Sequence, residues 1–152
     1  MADVKFAICD IDGTLARIPD GANKYRRNFL LDEPIWPVIN VWNAMVNQYS
    51  TTIVPLIFTG RMNATYPEYS NLSTLEVTKQ WLKEFGVQHK MVCIRPNADQ
   101  RKDSEVKREM LDTVIGDPAR VAFIFDDRPQ VVRMWQSLGI FVFNCYQGDK
   151  EF

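Results

Sequence analysis

The chain places two carboxylates one residue apart at the end of an apolar run: Phe6-Ala7-Ile8-Cys9 leads into Asp10-Ile11-Asp12-Gly13-Thr14. Like charges that close repel, so a cation or a metal has to make the pair tolerable. Three further polar groups follow later apolar runs. They are Thr59-Gly60-Arg61, then Arg101-Lys102-Asp103 with Lys107 beyond, and finally Asp126-Asp127-Arg128. Each has an ordinary reading by itself. Asp-Gly is a common turn dipeptide, and Thr-Gly-Arg is three common loop residues. Asp126-Asp127-Arg128 suits a solvated loop capping the next helix, and Lys107 with Arg108 suits an exposed helical face. Taken together they divide into an acidic set and a cationic set. Asp10, Asp126 and Asp127 offer hard oxygen ligands, which suit Mg²⁺ with retained waters better than Zn²⁺. The single histidine, His89, precedes an apolar run at its wrong end, which argues against a histidine zinc site or a Ser-His-Asp triad. No GxxxxGK[ST] loop occurs, so the Walker apparatus for nucleoside triphosphates is missing.

Short, nearly continuous apolar runs must carry these groups. Residues 5–9, 52–58, 90–94 and 121–125, with 140–144 as a fifth, are rich in β-branched and aromatic residues. That pattern predicts strands covered on both faces, as in parallel sheets. Helical periodicity lies between them, at 37–48, 74–85, 104–115 and 130–138, with Asp103 placed to cap the third helix. Strands alternating with helices predict a three-layer, doubly wound α/β fold. Ligands of such sheets bind at the carboxyl ends of the strands, where every one of the polar groups lies. The acids then sit on two neighbouring strand ends and the cations on the other two. Residues 17–34 and 62–73 are long for connections and are candidate substrate-covering loops.

With 152 residues, 46% apolar and 24% charged, the chain suits one globular domain over 1–152. A net charge of −1 gives no global case for holding long duplexes. The three cysteines, Cys9, Cys93 and Cys145, lack CxxC spacing and read as reduced thiols. No signal-peptide or membrane-spanning pattern is present, so the expectation is a cytoplasmic protein without a membrane partner.

The motifs DIDGTL at 10–15, TGR at 59–61, Lys107 and DDR at 126–128 have the order and spacing of the haloacid dehalogenase-like (HAD) phosphatase superfamily, which the chain resembles. RKDSEVKREML at 101–111, DDRPQVVRMW at 126–135 and the final GDKEF are similar to the 3′-phosphatase domain of phage T4-type polynucleotide kinase/phosphatases, without their kinase half. The resemblance implies a Rossmann-like HAD sheet and a role for each residue. Asp10 would be the nucleophile, forming an aspartyl-phosphate, and Asp12 the general acid and base. Magnesium would be held by Asp10, the Asp12 carbonyl, Asp126 and Asp127, the order of the last two open. Gly13 would permit the turn and Thr14 would orient it. Thr59 and Gly60 would hold phosphoryl oxygens. Lys107, with Lys102 as runner-up, would pair with phosphate and Asp10, positioned by Asp103. Arg61 would contact substrate phosphate or Asp12, and Arg128 has a substrate reading and a structural one.

The T4-type domain carries a functional arginine whose position falls near Gly21 here, leaving Arg17, Lys24, Arg26 or Arg27 as replacements. The short insert leaves no room for a large cap domain, and an open site suits the 3′ end of DNA or RNA. Basic residues, Arg95 and Arg101 among them, would meet a few backbone phosphates, and Tyr25, Tyr66 or Tyr69 would stack a base. A polynucleotide 3′-phosphatase is the first expectation, with opening of 2′,3′-cyclic phosphates as a further activity and a separate kinase or ligase as partner. A nucleotidase or small-ester phosphatase is the alternative, and a non-enzymatic phosphate-end adaptor the third.

Overall fold

The computed structural model describes residues 3–24, 28–66 and 71–148. Its main sheet has the order β5-β4-β1-β6-β7, built from β1 (Lys5–Cys9), β4 (Ile53–Met62), β5 (Met91–Arg95), β6 (Val121–Asp126) and β7 (Val142–Asn144). All four pairings are parallel. The helices are α1 (Trp36–Gln48), α2 (Thr74–Glu84), α3 (Asp103–Val114) and α4 (Pro129–Ser137). This is the three-layer, doubly wound α/β architecture expected from the alternation, and among the described residues no large cap interrupts it. No helix among the described residues is long and apolar enough to cross a membrane.

Continuous apolar strands follow from burial on both sides. Alternate residues face opposite ways, so Ala7, Cys9, Ile57, Phe123 and Phe125 join one core with Trp42 of α1 and Trp81 of α2. Ile8, Leu56, Phe58 and Ile124 join a second core with Leu111 of α3 and Trp135 of α4. Right-handed crossovers explain the division. From β1 the chain winds outward through α1 and α2 to β4 and β5, then returns past β1 through α3 and α4 to β6 and β7. Reversing direction puts the later helices on the other face. The reversal leaves a crevice at the carboxyl end of β1.

The structure departs from the sequence reading in three places that matter for this crevice. β4 runs on to Met62, so Thr59-Gly60-Arg61 is its last turn of pleat rather than a following loop. Pairing with β5 resumes at Met62 opposite Arg95 after a register shift beyond Thr59, and that extra pairing keeps the motif in the sheet. Asp103 does not cap α3; it is the first helical residue, Lys102 is the cap position, and no side chain closes that end. The described residues of the 17–34 stretch carry regular structure: β2 (Ala16–Arg17) pairs antiparallel with β3 (Glu33–Pro34), and a 3-10 turn covers Phe29–Leu31. Arg17 is tied to Glu33 at 2.7 Å there.

Candidate active site

The chain after β1 curls tightly. The amides of Thr14, Leu15 and Ala16 all donate to the Ile11 carbonyl, at 3.1, 2.8 and 3.0 Å. Gly13 makes the turn with φ +85°, and a Cβ there would lie 2.1 Å from Asp127 Oδ2. Only glycine meets both the left-handed backbone and that approach. The curl aims Asp10 across β6. The Thr14 hydroxyl lies between two carboxylates, 3.2 Å from Asp10 Oδ2 and 3.1 Å from Asp127 Oδ1.

A buried ammonium answers the acids from the opposite face. Lys107 of α3 is 1% exposed, with Nζ 2.8 Å from Asp10 Oδ1, 3.0 Å from Asp126 Oδ2 and 3.6 Å from Asp103 Oδ2. Burial alone would push its pKa down, but Asp10, Asp126 and Asp103 outweigh that and hold it well above the usual lysine range. Asp10 is pushed up by burial, with Asp126 and Asp127 adding to the rise and Lys107 opposing it. Burial also raises Asp127. One oxygen each of Asp10, Asp126 and Asp127 lies within 4.8 Å of the others. Three crowded acids against one lysine leave excess negative charge of hard-oxygen type, and a divalent cation fits that donor set. Asp126 is otherwise engaged. Its Oδ1 accepts from the amides of Asp127 and Arg128 at 2.9 and 3.3 Å, and its Oδ2 takes Lys107 and the Trp135 indole N–H at 3.4 Å.

Asp12 is held by a different cation. Arg61, at the end of β4, donates Nε to Asp12 Oδ2 at 2.9 Å and Nη2 to Oδ1 at 2.7 Å, the bidentate fork that arginine makes with carboxylates. Nη2 also reaches buried Asp32 Oδ2 at 3.1 Å, and Nη1 reaches the Thr78 hydroxyl at 3.1 Å. The Phe29 ring covers the guanidinium at 4.1 Å. Neighbouring Gly60 exists for proximity. A Cβ there would come 2.1 Å from Asp103 Oδ1. Arg95 fixes this corner, donating to the Gly60 carbonyl at 2.8 Å, the Arg101 carbonyl at 2.6 Å and Asp103 Oδ1 at 3.3 Å.

These residues line a cavity of about 400 Å³: Asp10, Asp12, Gly60, Arg61, Arg95, Asp103, Asp127 and Arg128 border it together with Lys24, Phe29, Met62 and Tyr66. The residues expected to converge therefore do so, with exceptions. Lys102 is exposed at the helix cap and outside the cavity, so Lys107 alone holds the buried lysine position. Thr59 is fully buried and accepts from the Arg61 amide at 3.2 Å. Arg101 is tied to Asp99 at 2.7 Å and to Glu109 outside the cavity, whereas Arg95, held by the Gly60 carbonyl and Asp103, lines it. Arg128 reaches Asp103 at 3.8 Å while lining the cavity, so its two readings coexist. Tyr25, Tyr69, Arg26 and Arg27 lie outside the described residues. Cys9, Cys93 and Cys145 are unpaired, and burial raises all three thiols, Cys93 to about 11 and Cys145 to about 12, which removes them as nucleophiles. Asp32 and Thr78 were not legible as site residues: nothing in their spacing marks them, and only the fold carries them beneath Arg61.

The comparisons with known proteins agree with this geometry. Residues 4–150 match the family model of the polynucleotide kinase PNKP phosphatase domain. A protein of Autographa californica nuclear polyhedrosis virus, described as a bifunctional polynucleotide kinase/RNA ligase, is 32% identical over 149 residues, which is 95% of this chain and 20% of that protein. A solved chain in the structure of a Pnkp1/Rnl/Hen1 complex is 29% identical with a TM-score of 0.77, covering 97% of this chain and 48% of that one. A HAD family enzyme from Bacteroides thetaiotaomicron, solved with magnesium and inorganic phosphate, shares the fold at 10% identity and a TM-score of 0.50. The chain thus spans a fifth to a half of these first two relatives. It belongs to the polynucleotide kinase PNKP phosphatase domain family and is a phosphatase domain of HAD type.

Proposed function

We propose that this domain is a Mg²⁺-dependent polynucleotide 3′-phosphatase that works through an aspartyl-phosphate on Asp10. The observation that carries the reading is the pair of oppositely served carboxylates: Asp10 beside Lys107 at 2.8 Å, and Asp12 gripped by Arg61 two residues on. Lys107 favours the ionised Asp10 that attack on phosphorus requires, and Arg61 fixes Asp12 as a separate group lining the cavity. In the first step an Asp10 oxygen attacks phosphorus, the bond from phosphorus to the ester oxygen breaks, and Asp12 gives its proton to the departing 3′-alkoxide. In the second, water attacks the same phosphorus while Asp12 takes its proton. The acyl-phosphate P–O bond breaks, and Asp10 and inorganic phosphate result. Lys107 neutralises Asp10 and the phosphoryl oxygens, and Arg61 keeps Asp12 directed at the cavity.

Mg²⁺ would be held by Asp10, Asp127 and the Asp12 carbonyl, and would offset the charge of the phosphoryl oxygens as nucleophile and phosphate meet. Asp127 lines the cavity while Asp126 already takes Lys107, Trp135 and two amides, so Asp127 would be the direct ligand and Asp126 would support it from behind. The named context of the relatives, polynucleotide kinase and RNA ligase, supports a nucleic-acid 3′ end as substrate and a separate kinase or ligase as partner. Three unpaired thiols fit a reducing compartment such as the cytoplasm. One observation favours a second reading: a cavity of about 400 Å³ would also take a mononucleotide. Phosphate release from a 3′-phosphorylated oligonucleotide and from a 3′-mononucleotide, measured side by side, separates the two. Faster turnover of the mononucleotide overturns the polynucleotide reading, and turnover surviving in Asp10→Asn overturns the nucleophile.

A further inference from the structure

A larger cleft lies at the other end of the sheet. It has a volume of about 640 Å³ and is enclosed by the end of α1, the start of β4, α2 and the loop into β5. Buried Val46 and Val87 contribute to its walls, and its cations are Lys79, Lys83 and Lys90 beside His89. No acid lines it. In a chain of net charge −1 that is a local reversal of sign. Lys79 and Lys83 stand one helical turn apart on α2, about 6 Å along its axis. Among the described residues no ion pair joins these three lysines to a carboxylate, although Lys79 is near enough to Glu76, three residues before it on α2, to help lower that acid's pKa.

The choice of cation identifies the ligand. Where this protein holds a surface carboxylate it uses arginine, as in Arg17–Glu33, Arg101–Asp99 and Arg108–Asp112. Arginine forks match carboxylates, whereas lysine serves phosphate as a point charge. A row of lysines without arginine fits a repeated phosphate better than an acidic peptide. Strand β4 connects the two sites: Ile53 at its start lines this cleft, and Gly60 near its end lines the catalytic cavity. Seven residues of strand span roughly 23 Å.

From this geometry we infer that the cleft is a second phosphodiester-binding site, holding the single strand upstream of the 3′ end while that end occupies the catalytic cavity. The inference rests on the polynucleotide reading of that cavity. A stacked strand advances about 3.4 Å per nucleotide, so the cleft is reached only by substrates longer than roughly seven nucleotides.

The test compares 3′-phosphorylated strands of roughly 3 and roughly 16 nucleotides across about 50 to 200 mM salt. Three phosphates on a single strand contribute a salt slope of about 2, so the KM of the long strand should worsen about 20-fold more than that of the short one. The Lys79→Gln/Lys83→Gln/Lys90→Gln variant should abolish that difference, leaving kcat on both strands and KM on the short strand unchanged. The corresponding triple arginine variant should restore the difference. Equal salt dependence of the two strands in the unaltered protein, or a glutamine variant that keeps the difference, overturns the second site and points to an acidic polypeptide as occupant. Either result leaves the phosphatase reading standing, because the short strand still turns over. Faster hydrolysis of mononucleotides than of both strands overturns the polynucleotide reading instead.

Discussion

Removing the Lys107 ammonium separates electrostatic support from packing in this site. Lys107→Met keeps a long side chain of similar girth but leaves Asp10, Asp126 and Asp103 without the Nζ that lies 2.8, 3.0 and 3.6 Å from them. All three carboxylates are buried. Deleting one member of a buried ion pair costs about 3–5 kcal/mol, because the remaining charge has lost its compensation. For a domain of this size each kcal/mol moves Tm by about 2–4 °C, so the variant should melt roughly 6–20 °C lower. The same loss should lower kcat on a 3′-phosphorylated oligonucleotide by about 10²–10³, the usual effect of removing one pre-positioned donor from a developing charge. Adding Asp10→Asn to Lys107→Met removes one of the uncompensated charges. The double variant should therefore recover part of the lost Tm, with a coupling of about 1–3 kcal/mol between the two positions. Calorimetric melts of the four proteins and single-turnover rates measure both quantities. Additive Tm losses in the cycle, or a Lys107→Met protein melting within 2 °C of the unaltered one, would refute the argument that this lysine is there to balance the acids; the second figure is the lower end of the effect of about 1 kcal/mol.

Other parts of the site give equally direct outcomes. Gly60→Ala, with its Cβ 2.1 Å from Asp103 Oδ1, should displace Asp103 from Arg95 and Lys107. Overpacking of this kind costs about 1–3 kcal/mol, read as a lower denaturation midpoint with an unchanged m-value. Asp32→Asn should lower kcat about tenfold while leaving KM within about twofold, because Asp32 meets Arg61 at 3.1 Å and acts on Asp12 only through it; a KM effect without a kcat effect would contradict that route. Stability without metal should fall as pH rises. Burial puts the Asp10 pKa in the folded state above its ordinary value of 3.8, so the folded form is favoured while that proton remains and loses ground as pH climbs through the raised value. Magnesium should therefore raise Tm more at about pH 8 than at about pH 5, and a gain independent of pH would count against binding at these carboxylates.

Parts of this site legible in sequence and parts that were not differ for a physical reason. Strand ends converge by a topological rule, so Asp10, Arg61, Lys107 and Asp127 could be brought together from the order of strands and helices alone. The division of acids between β1 and β6 and cations between β4 and the start of α3 also follows from that order, because β1 pairs with both β4 and β6. Asp32 and Arg95 do their work through side-chain reach. Asp32 lies in a short irregular stretch next to β3 and reaches Arg61 only because Trp81 fixes its carbonyl at 2.9 Å beneath α2. Arg95 ends a strand like any other basic residue, and its burial against Gly60 and Asp103 depends on glycine leaving space that no periodicity records. The lysine cleft is silent in the sequence for the opposite reason. Its lysines belong to α2 and to the turn before β5, at the strand ends where the topological rule expects nothing, and each alone is an ordinary solvated charge. They acquire meaning only when the sheet sets α2 beside the start of β4 and the rest of the protein is seen to pair its surface carboxylates with arginine. The catalytic end is thus specified by topology, and the opposite end by the distribution of charge over a finished surface.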